Sequence, residues 1–369
     1  MKERILLISS GGLSRSGVPT VIMTIVEGLK DSYDFDILLH TSDQGYYDQQ
    51  FLSYGGRIFR CPKKHFGFKP LDRIAEMLRP ALLRSVTRKI IRNNGPYKVI
   101  HCNNDFDASG CLEAAKKERI PIRICHTHKT WKSDSQMGPL TRIYRMSCRK
   151  VILDNATALI GCSSDANSST FGSSAKAQVV FNPYDETLFS PTLPLKNPDG
   201  LILIQVGYLN DNKNQLFSIE LLKELKKNRE DVHLTLIGRK DGEYAETVEK
   251  RIRDYNLQDA VTMLPADADI SASMAQSSIF LFPSKYEGFG IVLIEAQAMG
   301  LHCLASDTVP QETDRGGVEF ISLSEGPEAW ADFILSHSNL LEKKVQDCTP
   351  FSTKTFIDTI RKLYSDQSL

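Results

Sequence analysis

The sequence predicts an α/β fold made of two doubly wound parallel-sheet domains, and three observations carry this prediction. Short apolar runs of strand type alternate with helical patterns along the whole chain, as expected for parallel strands joined by crossover helices. A length of 369 residues exceeds what one hydrophobic core usually supports. The segment 190–200 is rich in proline and turn residues and lacks apolar periodicity, which indicates a linker.

We therefore expect an N-terminal domain over 1–190, a C-terminal domain over 191–350 and a terminal helix over 351–369. The strands predicted in the first half span 5–9, 35–39, 99–102, 122–125, 158–162 and 178–181. Those predicted in the second half span 201–206, 233–237, 260–263, 279–282 and 302–305. In doubly wound sheets, ligands bind beyond the carboxyl ends of the strands, so the loops that follow the strands are the candidate sites.

The composition is that of an ordinary globular protein, with 41% hydrophobic and 24% charged residues. No apolar run approaches the roughly 20 residues that a membrane-spanning helix needs. The first four residues lead into a short strand and not into a signal peptide, so we expect a cytoplasmic protein. The eight cysteines are scattered without a CxxC pair, which predicts reduced thiols and neither a disulfide framework nor a zinc site.

Charge is unevenly distributed although the net charge is zero. Residues 1–192 carry 27 Lys+Arg and 18 Asp+Glu, whereas residues 193–369 carry 18 and 27. The positive excess is concentrated between Arg57 and Lys98, where apolar residues also recur at helical spacing. Two interpretations of this stretch stay open: peripheral contact with an anionic membrane, or a solvated helix packed on the sheet. No nucleic-acid-binding motif accompanies the charge, so we expect no nucleic-acid partner.

The most informative segment runs from Glu287 to Gly300, after an apolar strand that ends at Pro283. Its two early glycines let the backbone approach a ligand, and the N–H groups at the start of the following helix favour a phosphate. Glu295 lies among apolar neighbours, where a carboxylate needs hydroxyl or cationic partners. A ribose diol would serve for Glu295, and Glu287 could bind sugar hydroxyls. The alternative is an ordinary strand, turn and helix in which Glu295 pairs with an arginine or lysine.

The spacing of Glu287 and Glu295 across a strand, loop and helix resembles the signature of retaining family-4 glycosyltransferases of the GT-B fold. The run 99–104, followed by the histidines at 126 and 128, is similar to the bacterial capsule and exopolysaccharide branch of that family. The resemblance implies two Rossmann-like domains that face each other across a cleft, and a terminal helix, 351–369, that crosses back to the N-terminal domain. It also implies that Glu287 contacts the donor sugar and that Glu295 holds the nucleotide ribose. The backbone that would reach the diphosphate belongs to Gly288, Phe289, Gly290 and Ile291.

A second glycine-rich loop, from Ser9 to Gly17, follows the first strand. Gly12 and Gly17 have the spacing of a P-loop, but Val18 and Pro19 replace the Lys-Ser/Thr pair that would hold phosphate and magnesium, so an NTPase is not predicted. By the resemblance, this loop lies opposite the donor diphosphate, with Gly17 close to it. We include Gly12, Arg15 and Gly17 among the substrate-binding residues; a plain tight turn is the alternative.

A third candidate segment, from Gln205 to Gln215, resembles the strand-Gly-Arg-loop-Lys-Asn pattern of the family. The resemblance implies that Lys213 meets the diphosphate, where an ammonium can neutralise the leaving nucleotide in place of a metal ion. The sequence departs from the pattern at Tyr208, which stands where arginine is usual. Either the diphosphate clamp is weaker here, or another cation such as Arg239 replaces the missing one.

Two histidines, His126 and His128, follow the predicted strand 122–125. Their spacing could ligate a metal, but no third ligand is evident nearby in the sequence. The resemblance implies no catalytic metal and a functional histidine at this position, near the reacting sugar and the acceptor. His126 fits that position best and His128 second, in orientation or charge stabilisation and not in nucleophilic attack.

With the resemblance, these residues predict a retaining, metal-independent glycosyltransferase whose catalytic residues are His126, Lys213 and Glu287. The expected co-substrate is a nucleotide-diphosphate sugar, a UDP-sugar, with no other cofactor. The expected acceptor is a hydroxyl of a glycan or of a lipid-linked molecule in surface polysaccharide synthesis, at the inner face of the plasma membrane. Two other classes stay open: a sugar-nucleotide epimerase or hydrolase of the same fold, and a catalytically silent partner protein, which Tyr208 motivates.

Overall fold

The computed structural model describes residues 2–63, 66–131, 137–191, 199–239 and 241–365. The chain divides into two compact units, one of Met1–Pro183 with Thr353–Leu369 and one of Tyr184–Ser352. Each unit contains one fully parallel sheet with helices between its strands, so the predicted fold class is confirmed. Residues 192–198 of the predicted linker lie outside the described residues.

The first unit is built on a seven-stranded sheet with the order β3-β2-β1-β4-β5-β6-β7. Its strands are β1 (Glu3–Ser9), β2 (Tyr33–Leu39), β3 (Arg57–Arg60), β4 (Val99–Asn103), β5 (Ile122–Thr127), β6 (Ala158–Gly161) and β7 (Gln178–Val179). Its helices up to residue 171 are α1 (Gly17–Leu29), α2 (Asp48–Ser53), α3 (Lys69–Asn94), α4 (Ala108–Lys117), α5 (Pro139–Asn155) and α6 (Ser164–Phe171). The four central strands, β2, β1, β4 and β5, are mostly apolar and are buried along nearly their whole length, as a sheet covered on both faces requires.

The second unit is built on a six-stranded sheet with the order β10-β9-β8-β11-β12-β13. Its strands are β8 (Leu201–Val206), β9 (Val232–Ile237), β10 (Val261–Leu264), β11 (Ile279–Phe282), β12 (His302–Ser306) and β13 (Val318–Ile321). Its helices are α7 (Gln215–Leu225), α8 (Glu243–Asp254), α9 (Ile270–Ala275), α10 (Ile291–Ala298) and α11 (Gly326–Ser336). The core of this unit includes Trp330, which is fully buried and packs edge-on against Phe217.

The last helix, α12 (Thr353–Tyr364), packs against α1 within the first unit. Ile357 lies directly over Gly28, where a Cβ atom would come within 2.6 Å of the isoleucine side chain. The side chain of Tyr364 is fully buried, with its ring edge-on to Tyr33. The terminal helix therefore belongs to the core of the first unit.

The sequence prediction misses two strands, β3 and β13, and both lie at a sheet edge. Each has four residues and only partly buried side chains, and β3 begins and ends with arginine. An edge strand is covered less completely than a central one, so it lacks the continuous apolar run by which the other strands are recognised.

In each sheet, one pair of adjacent strands is not consecutive in the sequence. This pair is β1 and β4 in the first unit and β8 and β11 in the second. At such a switch point the connections leave on opposite faces of the sheet, which opens a crevice beyond the carboxyl ends of the two strands. The loops after β1 and β4 therefore border one such crevice, and the loops after β8 and β11 border the other.

All eight cysteines are unpaired and buried. Among the helices that the structure describes, none combines the length and the apolar composition that crossing a bilayer requires.

Candidate functional site

The loops after β8 and β11 are tied together at the switch point of the second unit. Asn212 makes three bonds to the opposite loop: its side-chain amide donates to Tyr286 O at 3.0 Å, its Oδ1 accepts from Tyr286 N at 3.1 Å, and its carbonyl accepts from Lys285 N at 2.8 Å. Asn210 and Gln205 hold the backbone of Lys213 through bonds of 2.9 and 2.7 Å. The loop that carries Lys213 is therefore fixed relative to the loop that carries Glu287.

The structure brings Lys213 and Glu287 into an ion pair, with Lys213 Nζ 2.6 Å from Glu287 Oε1. Both side chains are partly buried, with 20% of Lys213 and 13% of Glu287 exposed. The ammonium also lies 4.7 Å from the ring centroid of the buried Phe282. An ammonium and a carboxylate thus face the same crevice, and each balances the charge of the other.

Helix α10 begins directly beside this pair. Its N-cap, Gly290, has a φ of 97°, and a Cβ atom there would lie 2.9 Å from the Phe282 ring, so the position requires glycine. Ile291 is the first helical residue, and first-turn N–H groups have no partner within a helix. Phe289 is buried against Phe351, with ring centroids 5.6 Å apart, so it anchors the loop while Gly288 stays partly exposed.

Glu295, on the second turn of α10, is a partly buried carboxylic acid. Burial, with a smaller contribution from the negative charge of Asp185, raises the pKa of Glu295 to about 8. Among the described residues, no group forms a hydrogen bond or ion pair with its carboxyl oxygens. Pairing with a fixed arginine or lysine, which the sequence left open, is not seen there.

Tyr208 occupies the position where the related family usually has arginine, and Arg239 lies next to it. The guanidinium of Arg239 is 5.5 Å from the centroid of the Tyr208 ring, and its Nε donates to Asp241 at 2.5 Å. The Tyr208 hydroxyl donates to the carbonyl of Asp241 at 3.3 Å. Gly238 permits this arrangement, since a Cβ atom there would overlap the carbonyl oxygen of Gly207 at 2.0 Å. A cation is therefore present beside Tyr208, on an exposed side chain.

In the first unit, the glycine-rich loop leads from β1 into α1, which begins at Gly17. A Cβ atom at Gly17 would meet nothing within 4 Å, whereas one at Gly12 would approach Thr41 at 2.9 Å. Arg15 is exposed, with its guanidinium 5.9 Å from the centroid of the Tyr46 ring. Gly17 and Arg15 thus border open space, while Gly12 is packed against the neighbouring loop.

His126 and His128 lie at the end of β5 with their ring centroids 3.9 Å apart. His126 is fully buried; its Nδ1 is 3.2 Å from His101 Nε2, and its own Nε2 has no partner among the described residues. His101 in turn shares a hydrogen bond of 2.8 Å with the Tyr364 hydroxyl. The side chains of His126, His101 and Tyr364 therefore form a hydrogen-bonded series that links β5, β4 and α12.

His128 is only partly buried and is held at both ring nitrogens. Its Nε2 is 2.8 Å from Asn103 Oδ1 and its Nδ1 is 3.1 Å from Asn182 Oδ1. Burial lowers the pKa of His128 to about 4 and that of His101 to about 3, and it lowers the pKa of His126 strongly. All three rings are neutral at pH 7, and because a neutral imidazole has one N–H, His128 donates to only one of the two Oδ1 atoms. The asparagine at the other nitrogen donates to His128 only with its amide turned so that Nδ2 faces the ring.

The predicted site residues thus fall into two groups. Lys213, Glu287, Glu295 and the turn 288–291 surround one switch point in the second unit, with Tyr208 and Arg239 at the ends of its strands. Gly12, Arg15, Gly17, His126 and His128 belong to loops and strand ends of the first unit. Sequence reasoning assigned no role to His101, Asn103 or Tyr364. Asn103 ends β4 at the switch point and His101 lies two residues before it, a position that identifies them once the strand order is known.

Among the described residues, no group of three or more histidine, cysteine, aspartate or glutamate side chains is arranged to hold a metal ion.

Relatives of known description match most of the chain. The family model for glycosyl transferases group 1 matches residues 192–314. A protein of Bacillus subtilis (strain 168), "Putative glycosyltransferase EpsF", is 32% identical over 350 residues, which cover 90% of this chain and 87% of that one. A GDP-mannose:cellobiosyl-diphosphopolyprenol alpha-mannosyltransferase of Xanthomonas oryzae pv. oryzae is 31% identical over 113 residues, or 30% of each chain.

Solved structures match the fold over nearly the full length. The Anabaena protein Alr3699/HepE in complex with UDP superposes with a TM-score of 0.75 at 16% identity, covering 98% of this chain and 99% of that one. Its complex with UDP-glucose superposes with a TM-score of 0.74 at the same identity and coverage. At such identity the likeness shows the fold alone, which is the GT-B fold of two Rossmann-like domains. With the matched family segment and the full-length relative, it follows that the chain belongs to the glycosyl transferases group 1 family.

Proposed function

We propose that this glycosyltransferase is retaining and metal-independent, and that it moves a sugar from a UDP-sugar to a hydroxyl of a glycan or lipid-linked acceptor in surface polysaccharide synthesis. The observation that carries the proposal is the ion pair of Lys213 and Glu287, at the switch point where α10 begins. An ammonium and a helix N-terminus there suit the diphosphate of a nucleotide-diphosphate sugar, and the carboxylate suits the hydroxyls of its sugar. The fold neighbours solved in complex with UDP and with UDP-glucose support the choice of donor.

Binding of the donor would divide the ion pair between two parts of the ligand. The diphosphate would take the ammonium of Lys213 and the first-turn N–H groups after Gly290, because both are positive and already in position. Glu287, released from the lysine, would accept hydrogen bonds from the sugar hydroxyls. Catalysis would then come from the stronger attraction between Lys213 and the departing diphosphate as its negative charge grows.

Glu295 is the residue for the nucleotide ribose. Its carboxyl group has no partner among the described residues, and its raised pKa reflects a poorly solvated position. A ribose diol would supply two hydroxyls to a group that water reaches poorly. The exposed Arg239, beside Tyr208, would add the cation that is usual next to Gly207 in the family.

The retained anomer would follow from attack on the same face as the departing diphosphate, whose oxygen would take the proton of the acceptor hydroxyl. Such a reaction needs no nucleophile from the protein. Of the two histidines, His128 is the partly exposed one, so it would orient substrate hydroxyls, while the buried His126 and His101 hold its ring from behind.

The decisive experiment combines a donor screen with product analysis. UDP- and GDP-sugars are compared by thermal shift, since a ligand stabilises the fold according to its affinity. The anomer of the transferred sugar is then read by NMR with the donor that binds best, in the presence of a chelator. We expect stabilisation by a UDP-sugar and a product with the anomeric configuration of the donor.

A product with the inverted anomeric configuration would refute the retaining mechanism. Loss of activity in the presence of the chelator would refute metal independence. Rapid conversion or release of the sugar without acceptor would favour an epimerase or hydrolase. No nucleotide binding by calorimetry would favour a catalytically silent partner protein.

A further inference from the structure

Two buried asparagines of the first unit hold His128 between them, and the donor site of the proposed function uses neither. Asn103 is the last residue of β4, His128 follows β5, and Asn182 lies three residues beyond β7. Asn103 is 3% and Asn182 6% exposed, whereas His128 is partly exposed. We call these three residues the asparagine–histidine network. It lies at the carboxyl edge of the sheet, where doubly wound folds bind their ligands.

The direction of the hydrogen bonds in this network is fixed at its β4 end. Asn103 Nδ2 donates to the carbonyl oxygen of His101 at 3.4 Å. A backbone carbonyl can only accept, so this bond turns the nitrogen of the Asn103 amide toward His101 and its oxygen toward His128. His128 Nε2 lies 2.8 Å from that oxygen, which can also only accept. The neutral ring of His128 therefore carries its single proton on Nε2.

The other ring nitrogen of His128, Nδ1, then has a lone pair and no proton. The amide of Asn182 lies 3.1 Å from this atom. No other hydrogen bond orients that amide within the described residues, and turning it exchanges its oxygen and nitrogen without changing its shape. Because Nδ1 can only accept, the nitrogen of the Asn182 amide faces the ring and its oxygen faces away from it.

The outward atom of the Asn182 amide reaches the surface. It has no hydrogen-bond partner in the part of the chain that the structure describes, and yet it is not among the unpaired polar atoms that are fully buried. Pro183 follows directly, and a residue before proline is confined to extended backbone, which restricts the swing of the side chain. Asn182 therefore presents one positioned carbonyl oxygen at the carboxyl edge of the sheet.

A positioned amide oxygen selects a hydrogen-bond donor as its ligand. It accepts from a hydroxyl and repels the oxygens of a phosphate or carboxylate, which are themselves acceptors at pH 7. The rings behind it do not reverse this choice, because burial lowers the pKa of His101 to about 3 and that of His128 to about 4 and leaves both uncharged. The chemical class that fits is a sugar hydroxyl.

We propose that Asn182 contacts the substrate through its amide oxygen, which accepts a hydroxyl of the transferred sugar or of the acceptor, and that Asn103 and His128 are positioning residues that turn this oxygen outward. The inference rests on the proposed function, which supplies the two hydroxyl-bearing substrates. His128 thus orients a substrate hydroxyl through Asn182.

The tautomer of His128 tests the direction of the network without any ligand. Protein labelled with nitrogen-15 in its histidine rings is studied by NMR at pH 7, where the chemical shift distinguishes a protonated from an unprotonated ring nitrogen. The spectrum of His128→Gln identifies the signals of His128. We expect the proton on Nε2. A proton on Nδ1, or on both nitrogens, would overturn the proposal, because the oxygen of Asn182 would then face the ring.

Variants of Asn103 show whether this residue sets the tautomer. Asn103→Leu removes the accepting oxygen, so a part of the His128 population should move its proton to Nδ1. Asn103→Asp keeps an acceptor and no donor on that side, so Nε2 should stay protonated. A folded Asn103→Leu protein in which the tautomer is unchanged would refute the positioning role of Asn103.

Kinetics separate the contact from the positioning. Asn182→Ala should lower kcat/KM for transfer at least tenfold and leave UDP affinity unchanged, since the proposed nucleotide site lies in the second unit. Asn103→Leu should give a smaller loss, and combining it with Asn182→Ala should add nothing, because both act through one oxygen. Additive losses, or an unchanged kcat/KM in Asn182→Ala, would contradict the proposal.

The matched control is Asn167→Ala. Asn167 belongs to the same unit, is also 6% exposed, and donates to the carbonyl of Gln178 at 3.1 Å. The variant therefore loses a comparable side chain outside the network, and it should change neither the tautomer of His128 nor the rate of transfer. A loss equal to that of Asn182→Ala would show a general effect of removing a buried asparagine and would overturn the proposal.

Hydrolysis of the UDP-sugar without acceptor identifies which substrate supplies the hydroxyl. If it belongs to the transferred sugar, Asn182→Ala should slow hydrolysis as much as transfer. If it belongs to the acceptor, hydrolysis should keep its wild-type rate while transfer falls. Failure of UDP-sugars to stabilise the wild-type protein would instead refute the donor assignment, and the NMR measurement would still decide the direction of the network.

Discussion

Lys213 Nζ and Glu287 Oε1 lie 2.6 Å apart although they are 74 residues apart in the sequence. The two strands that precede them, β8 and β11, are neighbours in the sheet because the chain crosses over between them. A cation and an anion placed at this switch point are preorganised for a ligand that carries both negative phosphates and neutral hydroxyls. In the free protein each side chain keeps the other in place.

The first prediction concerns this pair. Lys213→Ala and Glu287→Ala should each lose transfer at saturating donor while the protein stays folded, because each removes a contact that the proposed transition state needs. Each should also cost about 1 to 3 kcal/mol of unfolding free energy, between the values for exposed and buried pairs. Turnover is measured with UDP-sugar, and stability by urea unfolding.

The double variant Lys213→Ala/Glu287→Ala supplies the control, since it should lose less stability than the two single losses added together. Near-wild-type turnover in either single variant would show that the role assigned to that residue is wrong.

The second prediction concerns Glu295, whose pKa burial raises to about 8. In the unfolded chain the pKa is about 4.5, so between pH 4.5 and 8 the folded state keeps a proton that the unfolded state has released. This residue therefore lowers stability as pH rises through that range. Glu295→Gln should flatten the decline, and the variant should gain melting temperature relative to wild type at pH 8 more than at pH 5.

Asp185→Asn tests the second cause of the shift. It removes the negative charge next to Glu295 and keeps an oxygen for the turn at Thr187, so it should give a smaller change of the same sign. Parallel pH profiles of Glu295→Gln and wild type would contradict the raised pKa.

The third prediction separates two glycines of different environment. Gly290→Ala places a Cβ atom at positive φ and 2.9 Å from Phe282, so we expect a loss of about 1 to 2 kcal/mol from the backbone alone, together with weaker UDP binding. Gly17→Ala meets no atom within 4 Å and should leave stability nearly unchanged. If Gly17 lies close to the donor, its variant should still bind UDP-sugar less well; unchanged binding would reduce Gly17 to a plain turn residue.

The fourth prediction is an acid sensitivity of the first unit. Burial lowers the pKa of His40, His101, His126 and His128 below the unfolded value of 6.5, to about 3 for the first two and about 4 for the last. Their contribution to stability is complete above pH 6.5 and is lost as pH falls toward 4, because the unfolded chain then binds more protons. Unfolding measured from pH 7 to pH 4.5 should show this loss, and His128→Gln should reduce the slope by up to one proton. An unchanged slope in that variant would argue against a depressed pKa at His128.

The fold class could be predicted from the sequence because the central strands are buried on both faces and therefore appear as apolar runs. The Glu287–Glu295 segment could be predicted as a site because glycines and carboxylates occur together in one turn there, which is uncommon without a function. The contact of Lys213 with Glu287 could not be predicted, because neither segment indicates the strand order that brings their loops together. The short edge strands β3 and β13 were not predicted because they lack a continuous apolar run.

The histidine chain shows a second kind of limit. The spacing of His126 and His128 indicates one side of a strand, but it does not show which of them is buried. His126 is covered and contacts His101 of β4, whereas His128 is partly exposed. Tyr364, on the last helix, is the third member of this hydrogen-bonded series, and its hydroxyl lies 2.8 Å from His101 Nδ1. Nothing in its local sequence distinguishes it from any other residue of an apolar helical stripe.

The last prediction tests the basic stretch between Arg57 and Lys98 as a membrane contact. Helix α3 has exposed lysines at 69 and 89, neither of which is in an ion pair within the described part of the chain, whereas Arg88 and Arg92 both pair with Glu118. Lys69→Gln with Lys89→Gln should weaken binding to anionic vesicles roughly thirtyfold at low salt, at about 1 kcal/mol for each lysine near the surface. The wild-type affinity should fall with added salt, because charges at such a surface are screened within about 10 Å at 0.1 M. Co-sedimentation with vesicles measures both effects, and Lys250→Gln with Lys344→Gln removes the same charge from the second unit as the control. If vesicle binding does not depend on salt, or if the control variant weakens it as much as the α3 variant does, then α3 is a solvated helix packed on the sheet and not a membrane contact.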